Sequence, residues 1–201
     1  MYLLLRIILT VSGALSAAAW AQKPSAPSAQ MVEQKSADQL AVELLRDTAA
    51  YQAVVGAAHQ GHEKALSAIN KAFSRATDLT VKSNLAIVLL QNGPATDEIV
   101  DHVSEPALRV ISANIPFPYR FDSQGEILKG NFSEEFLSWC SSRNVEPKQG
   151  AQQAIVDDPA SVSLLGSARH PSVVPTLMKV LELRNYISVS NAAMALAQMQ
   201  D

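Results

Sequence analysis

The chain has 201 residues, a formal net charge of −3, 48% hydrophobic residues and a single cysteine. The near-neutral charge and the lack of a lysine or arginine cluster argue against a nucleic-acid partner, and one cysteine excludes an internal disulfide. Aromatic residues make up only 5% of the chain while alanine and leucine are abundant, which favours closely packed helices over sheets.

Residues 1–21 have the features of a signal peptide. Arg6 supplies the positive charge of the n-region, and an apolar stretch follows it. Ala19 and Ala21 are small residues that precede a predicted cleavage site before Gln22. Cleavage would release an exported protein, periplasmic or extracellular. The alternative is a retained leader that anchors the chain, although the apolar run is short for a membrane span. Membrane contact is expected only in that second case.

Residues 22–37 are rich in proline, serine and alanine, and they predict a flexible linker before a folded domain over 38–201. Apolar residues at helical spacing then predict a helical run from Asp38 to about Ala58. The same pattern predicts helices over His62–Arg75 and Thr80–Gln91. Two shorter helical pieces are predicted next, near 96–103 and 106–113.

The segment 114–131 breaks the helical pattern, because Pro116 and Pro118 cannot be accommodated inside a helix. Alternating aromatic residues and a polar turn around Gly125 predict an extended arm or a hairpin. Solenoid proteins often carry such insertions on a binding face. The candidate partner-binding residues are therefore Phe117, Tyr119, Arg120 and Phe121. The alternative interpretation is that these aromatic rings fill a gap between helices as part of the core.

Two further helices are predicted before the C-terminal segment. Ser133 is a predicted N-cap for a helix that reaches about Arg143. Pro147 opens the next helix, and Pro159 is predicted to end it, which would leave Asp157 and Asp158 at a solvated helix end.

The C-terminal segment predicts a helix, a turn and a further pair of helices. Ser172 is the predicted N-cap of the first member of that pair. Its apolar stripe is predicted from residues at helical spacing: Val174, Leu177, Met178 and Leu181. The last helix offers small side chains that permit close approach of a neighbouring helix: Ala192, Ala193 and Ala197.

An internal similarity supports a repeat architecture. Residues 83–91 and 190–198 share five of nine positions, namely Ser, Asn, Ala, Leu and Gln. Repeated helix pairs are typical of α-solenoids, in which each pair buries its apolar face against the next. The pattern therefore predicts an all-α protein, with one short non-helical insertion.

The segment from His170 to Leu177 (HPSVVPTL) resembles the start of a HEAT repeat of the PBS-lyase HEAT-like group, with histidine in place of the usual aspartate. The resemblance covers about 161–200 and, less closely, 62–92. It implies an α-solenoid with a right-handed superhelix, and its motifs concern packing rather than an active site. A tetratricopeptide array is the alternative repeat, but its 34-residue signature is not recognised here.

No catalytic, cofactor-binding or metal-binding pattern is recognised. His59, His62 and Glu63 do not have the spacing of a zinc-protease helix, and a polar turn is the preferred interpretation. Cys140 has no second cysteine nearby and predicts a buried structural thiol. His102 and His170 are read as surface or capping residues.

The function expected from these features is an exported helical-repeat scaffold that binds another protein or peptide and has no catalysis of its own. The alternative is a small-ligand-binding or lyase-type accessory protein, by analogy with the PBS-lyase HEAT-like group. Because Asp201 directly follows an apolar helix, we also expect either a truncated array or a subunit interface at that end.

Overall fold

The computed structural model describes residues 31–199. Most of this part is helical, with ten α-helices from Ala37 onward and one two-stranded sheet. The prediction of an all-α protein with one short non-helical insertion is confirmed. The chain divides after Val88 into two compact units, and each unit is described by itself.

The first unit is built from three helices and the start of a fourth. They are α1 (Ala37–Leu44), α2 (Thr48–His59), α3 (Glu63–Arg75) and α4 (Leu79–Asn92), with the unit boundary inside α4. Helix α3 packs against both α1 and α2. The large side chains buried among these helices are Leu40, Leu44, Val54, Ile69 and Phe73.

The predicted single helical run over 38–58 is wrong, because the chain turns between Leu44 and Thr48. The Asp47 carboxylate accepts a hydrogen bond from the Ala49 amide at 2.9 Å and so starts a new helix. The predicted linker also ends too late. Residues 31–34 are helical and Val32 is buried, while Ser36 caps α1 in a capping box with Gln39.

The second unit combines six further α-helices, a π-helical turn and a 3-10 turn with a hairpin. Its elements are α5 (Asp97–Ala113), β1 (Tyr119–Phe121), β2 (Ile127–Phe132), α6 (Glu134–Arg143), α7 (Pro147–Gln152), a π-helical turn (Gln153–Asp157), α8 (Asp158–Ser167), a 3-10 turn (Pro171–Val173), α9 (Val174–Val180) and α10 (Tyr186–Gln198). Helices α8 and α9 both pack against α5 and α10.

Helix α5 is continuous where two shorter pieces were predicted. Pro106 lies inside it and cannot donate a hydrogen bond to the preceding turn. The flanking residues Val103, Ala107 and Val110 are nevertheless buried, and α5 packs against α8 and α9. Burial of this face therefore outweighs the local cost of proline, which the sequence pattern alone overestimated.

Pro159 does not end a helix, contrary to the prediction. The backbone runs from α7 through the π-helical turn into α8, and Pro159 lies in the first turn of α8. Asp158 is buried, with 5% of its surface exposed, so the predicted solvated helix end is wrong for this residue. Asparagine side chains of α10 and its cap satisfy nearby carbonyls: Asn185 Nδ2 donates to Ala154 O at 2.6 Å, and Asn191 Nδ2 donates to Pro159 O at 3.1 Å.

The packing of α9 and α10 differs in detail from the predicted stripe. The buried residues of the 3-10 turn and α9 are Val173, Leu177 and Val180, whereas Met178 is 52% exposed. His170, not Ser172, caps this turn, because its Nδ1 accepts from the Ser172 amide at 3.2 Å.

Small residues of α10 do face a neighbouring helix, but they are Ala192 and Ala195. Ala193 and Ala197 are exposed. A Cβ atom added at Gly166 of α8 would lie 2.5 Å from Ala195 Cβ, so glycine is required for this close contact.

Candidate functional site

The candidate site is built around the hairpin that leaves the end of α5. Asn114 ends α5 in a left-handed conformation with φ of 42°, a region that asparagine tolerates better than most residues. The next residue, Ile115, is buried. The Trp139 indole donates to Ala113 O at 3.1 Å and so joins α6 to the point where the hairpin begins.

Arg184 lies in the connection between α9 and α10, and it forms hydrogen bonds with three residues at the base of the hairpin. Its guanidinium donates to Glu135 Oε1 at 2.7 Å and to Asn114 O at 3.2 Å. Its carbonyl accepts from the Phe117 amide at 3.4 Å. Through Arg184, hydrogen bonds connect the base of the hairpin to the end of α5 and to the first turn of α6.

The turn of the hairpin is closed by one aspartate. Asp122 Oδ1 accepts from the amides of Gln124 and Glu126, each at 2.8 Å, which is the usual way in which aspartate stabilises a turn. Gly125 has φ of +78°, where a side chain would be strained. The antiparallel strands place Tyr119 opposite Phe132 and Phe121 opposite Ile127, with a register irregularity between them.

Beneath the hairpin is a small apolar core. Its buried members are Ile115, Phe136, Trp139, Cys140, Ala151 and Ala154. The predicted buried thiol is confirmed, since Cys140 is buried in this core. Burial raises the pKa of the Cys140 thiol, with a smaller contribution from the charge of Glu146. Ser133 caps α6 as predicted, because its hydroxyl accepts from the Phe136 amide at 3.2 Å.

A continuous series of aromatic contacts runs from this core to the surface. We call it the aromatic row, and its members are Trp139, Phe136, Phe132, Tyr119, Phe117, Phe121 and Tyr186. Successive ring centroids in the row are 6.4, 5.3, 5.7, 6.0 and 5.4 Å apart from Trp139 to Phe121. Tyr186 closes the outer end, with its centroid 4.4 Å from Phe117 and 5.7 Å from Phe121.

Exposure increases along the aromatic row from Phe136 to its outer end. Phe136 is fully buried, Phe117 and Tyr119 are half-buried, and Phe121 and Tyr186 are 47% and 45% exposed. The large side chains exposed on neighbouring parts of the hairpin and α6 are Ile127, Leu128 and Leu137. The outer end of the row therefore presents apolar side chains at the surface on a hydrogen-bonded support.

A shallow depression lies beside the row, between the hairpin and the π-helical turn. We call it the hairpin depression; it has a volume of about 250 Å³, and its lining residues are Tyr119, Phe132, Lys148, Ala151, Gln152, Ile155 and Val156. A second open depression is lined by Arg120, Leu128, Asn131, Phe132 and Leu137. Phe132 contributes to both.

The structure brings together all four residues predicted as candidates, but in different roles. Phe121 and Phe117 stack at the outer end of the row, and Tyr119 stacks on Phe132. Arg120 is directed to an ion pair with Glu134 Oε1 at 2.7 Å. Some rings of this segment therefore pack inward, as the second interpretation expected, while Phe121 remains exposed. Partner binding by this segment stays a prediction.

Sequence reasoning missed Phe132 and Tyr186. Phe132 lies just beyond the predicted insertion, 114–131, because the second strand extends from Ile127 to Phe132. Tyr186 is the first residue of α10 and lies far along the chain from Phe117, so no local pattern indicates that their rings meet.

The histidines are placed without an obvious ligand cluster. His62 is the N-cap of α3, and its Nδ1 lies 3.8 Å from Glu33 Oε1. Within residues 31–199, no group of three or more His, Cys, Asp or Glu side chains is arranged to hold a metal ion. Over the same residues, no helix combines the length and the apolar character needed to cross a membrane.

Comparison with known proteins adds no relative. No protein-family model matches the chain, and neither the curated proteins nor the solved structures provide a match. The HEAT-like resemblance consequently rests on the residues quoted for it, and the site is interpreted from its own geometry.

Proposed function

We propose that this protein is an exported helical-repeat scaffold that binds another protein or peptide and has no catalysis of its own. The observation that carries the proposal is the outer end of the aromatic row, where Phe121 and Tyr186 are exposed side by side. Aromatic side chains are enriched at protein interfaces, where they bury large areas at a small cost in conformational entropy.

The support beneath these rings favours binding over simple exposure. The hairpin turn is closed by Asp122, and its base is held by Arg184 and Ser133. A rigid support lowers the entropy lost when a partner binds. Charged side chains at the edge, in the Arg120–Glu134 and Arg184–Glu135 pairs, resemble the polar rim that surrounds the apolar centre of many interfaces.

The repeat part of the proposal rests on the helix pairs. Helix α9 packs against α10, and α10 packs against α8, as successive helices of an α-solenoid do. The HEAT-like resemblance of the segment from His170 and the similarity between 83–91 and 190–198 support the same architecture. We propose export from the signal-peptide pattern, which lies outside the described residues.

Partner capture tests the binding proposal. The chain beginning at Gln22 is immobilised, exposed to periplasmic extract and analysed by mass spectrometry, in parallel with the double variant Phe121→Ser/Tyr186→Ser. Leu79→Ser is the matched control, because Leu79 is an exposed leucine of the first unit. We expect a partner that the control retains and the double variant loses, with both variants showing the thermal unfolding of the parent.

A partner retained equally by the double variant would contradict the proposed surface. A small molecule that co-purifies instead of a protein would favour the ligand-binding alternative. The export proposal has its own measurement: N-terminal sequencing of the chain secreted from a full-length gene should begin at Gln22, and an intact leader in the membrane fraction would contradict it.

A further inference from the structure

The lining of the hairpin depression combines apolar side chains with two polar ones, the amide of Gln152 and the cation of Lys148. Tyr119 and Phe132 form one wall, Ile155 and Val156 of the π-helical turn form the other, and Lys148 is the charged residue among them. The stacked rings of Tyr119 and Phe132, with centroids 5.7 Å apart, provide a flat apolar surface. Val156 is an exposed hydrophobic residue, so this wall is open to a partner.

Size decides what kind of group could enter. The volume of about 250 Å³ lies below the range of about 300–1,000 Å³ typical of sites that enclose a small molecule. It is sufficient for one apolar side chain. The depression is also open rather than enclosed, so that a ligand held there would extend beyond it over the surface of the hairpin.

Charge decides what should accompany that side chain. Each arginine near the hairpin has a carboxylate partner, since Arg120 pairs with Glu134 and Arg184 pairs with Glu135. Lys148 takes part in none of the ion pairs found within residues 31–199. The nearest acidic residue in sequence, Glu146, uses its carboxylate to accept from the Gln149 amide at 3.0 Å. Within the described residues, the ammonium group of Lys148 is thus available to an external anion.

We infer that the hairpin depression binds an extended polypeptide segment in which an apolar side chain is followed closely by a carboxylate. The apolar side chain contacts Tyr119, Phe132 and Val156, and the carboxylate pairs with Lys148. The remainder of the segment lies along the hairpin toward Phe121. This inference rests on the proposed function, because it names the chemistry of the partner expected there.

The test uses an array of short synthetic peptides with blocked termini on a constant serine and threonine background. One position varies among apolar residues, and the neighbouring positions carry glutamate, glutamine or lysine. The full chain from Gln22 is the binding protein. Affinities of the best peptides are then measured by fluorescence anisotropy. We expect a glutamate peptide to bind about 1.5- to fivefold more tightly than its glutamine counterpart, as one ion pair at an exposed lysine predicts.

Lys148→Gln should make the glutamate and glutamine peptides equal in affinity while leaving the apolar preference. Lys179→Gln is the matched control, because Lys179 is an exposed lysine on α9, and it should leave the preference for glutamate intact. Val156→Asp should weaken all peptides, and the unfolding temperature of each variant shows whether it is folded.

Equal binding of the glutamate and glutamine peptides to the parent, or a preference that survives Lys148→Gln, would overturn the inference. A lack of binding by every peptide in the array would overturn it as well. The proposed function is judged separately by partner capture. A protein partner lost in Phe121→Ser/Tyr186→Ser, together with no acidic preference in the array, would remove the inference and leave the scaffold proposal standing.

Discussion

Two regions of the second unit are packed by opposite means. Where α8 meets α10, the contact is made by Gly166 and Ala195, and no space remains for another carbon atom. At the hairpin, the contact is made by seven large rings whose burial decreases from Phe136 to Phe121. The contact between α8 and α10 leaves no free space. The aromatic row is buried at Phe136 but exposed to solvent at Phe121.

The difference shows where change can be tolerated and where a partner can act. Small residues bring two helix axes close together, and a close-packed interface resists any increase in volume. A row of rings instead keeps apolar area at its outer end, where binding can still bury it. In the same unit, the residues at the contact between α8 and α10 are constrained by stability. The outer end of the aromatic row is less constrained by packing and can contact a partner.

Truncating Phe136, the most buried ring of the aromatic row, should have the largest effect on stability. Phe136 is fully buried among Ile115, Trp139 and Cys140, and Phe136→Ala should lower the free energy of unfolding by about 3–5 kcal/mol, because it leaves a cavity. Urea denaturation measures the change. Phe136→Leu should recover most of the lost free energy of unfolding. If Phe136→Ala costs less than a typical surface substitution, Phe136 is not packed in the core as described.

Adding one carbon atom at Gly166, where α8 contacts α10, should cause the next largest loss of stability. In Gly166→Ala the new Cβ lies 2.5 Å from Ala195 Cβ, and we expect a loss of about 1–3 kcal/mol despite the better helix propensity of alanine. Gly150→Ala is the comparison, since its Cβ would lie 3.2 Å from Cys140 Sγ and Phe136 Cζ and should cost less.

The double variant Gly166→Ala/Ala195→Gly removes the methyl group that the new Cβ meets. It should be more stable than Gly166→Ala alone in the same urea experiment. If the single variant is as stable as the parent, α8 and α10 are not in the close contact described.

A third effect concerns the buried carboxyl at the start of α8. Burial raises the pKa of Asp158 from 3.8 to about 6, partly offset by the hydrogen bond from Gln153 and increased again by the charge of Asp157. The folded state therefore holds the proton more tightly than the unfolded chain. Stability should fall as the pH rises from about 4 to about 6 and change little above that range.

Asp158→Asn should flatten this dependence and raise the free energy of unfolding at pH 7 by up to about 3 kcal/mol. Asp157→Asn is the control, because Asp157 is exposed and should affect stability much less. Thermal unfolding followed from pH 4 to pH 7 measures both variants. A parent protein whose stability increases over that range would contradict the assigned direction.

The smallest effect on stability is expected at the outer end of the row. Phe121→Ser changes a ring that is 47% exposed, and the free energy of unfolding should change by less than about 1 kcal/mol. Comparison with Phe136→Ala in the same urea experiment measures the gradient of burial along the row directly. Similar losses for both variants would mean that the row is buried throughout and has no free end.

Much of the local structure could be predicted from the chain. Helices begin where Ser133 and His62 suggest, and prolines at 116 and 118 exclude a helix where the hairpin is found. These features depend on backbone hydrogen bonding and steric exclusion within a few residues, so a local pattern contains the needed information. The all-α class follows from the same local signals repeated along the chain.

The errors share one physical cause. Two helical pieces, near 96–103 and 106–113, were predicted where α5 is continuous through Pro106. Pro159 was predicted to end a helix, yet a π-helical turn carries the chain into α8 at this point. In both places, packing against neighbouring helices compensates a local penalty. The exposure of Met178 and the burial of Asp158 were likewise decided by which neighbour lies alongside.

The candidate site also combines features determined by the local sequence with features determined by tertiary packing. The sequence by itself determined that Phe117, Tyr119, Arg120 and Phe121 leave the helical framework together, because proline and glycine fix that backbone. Only the tertiary structure decided that Tyr186 joins Phe121 at the surface, and that Lys148 lines the hairpin depression with no ion-pair partner among residues 31–199. Contacts between residues distant in the chain depend on the sum of many packing energies, and no single stretch of sequence contains that sum.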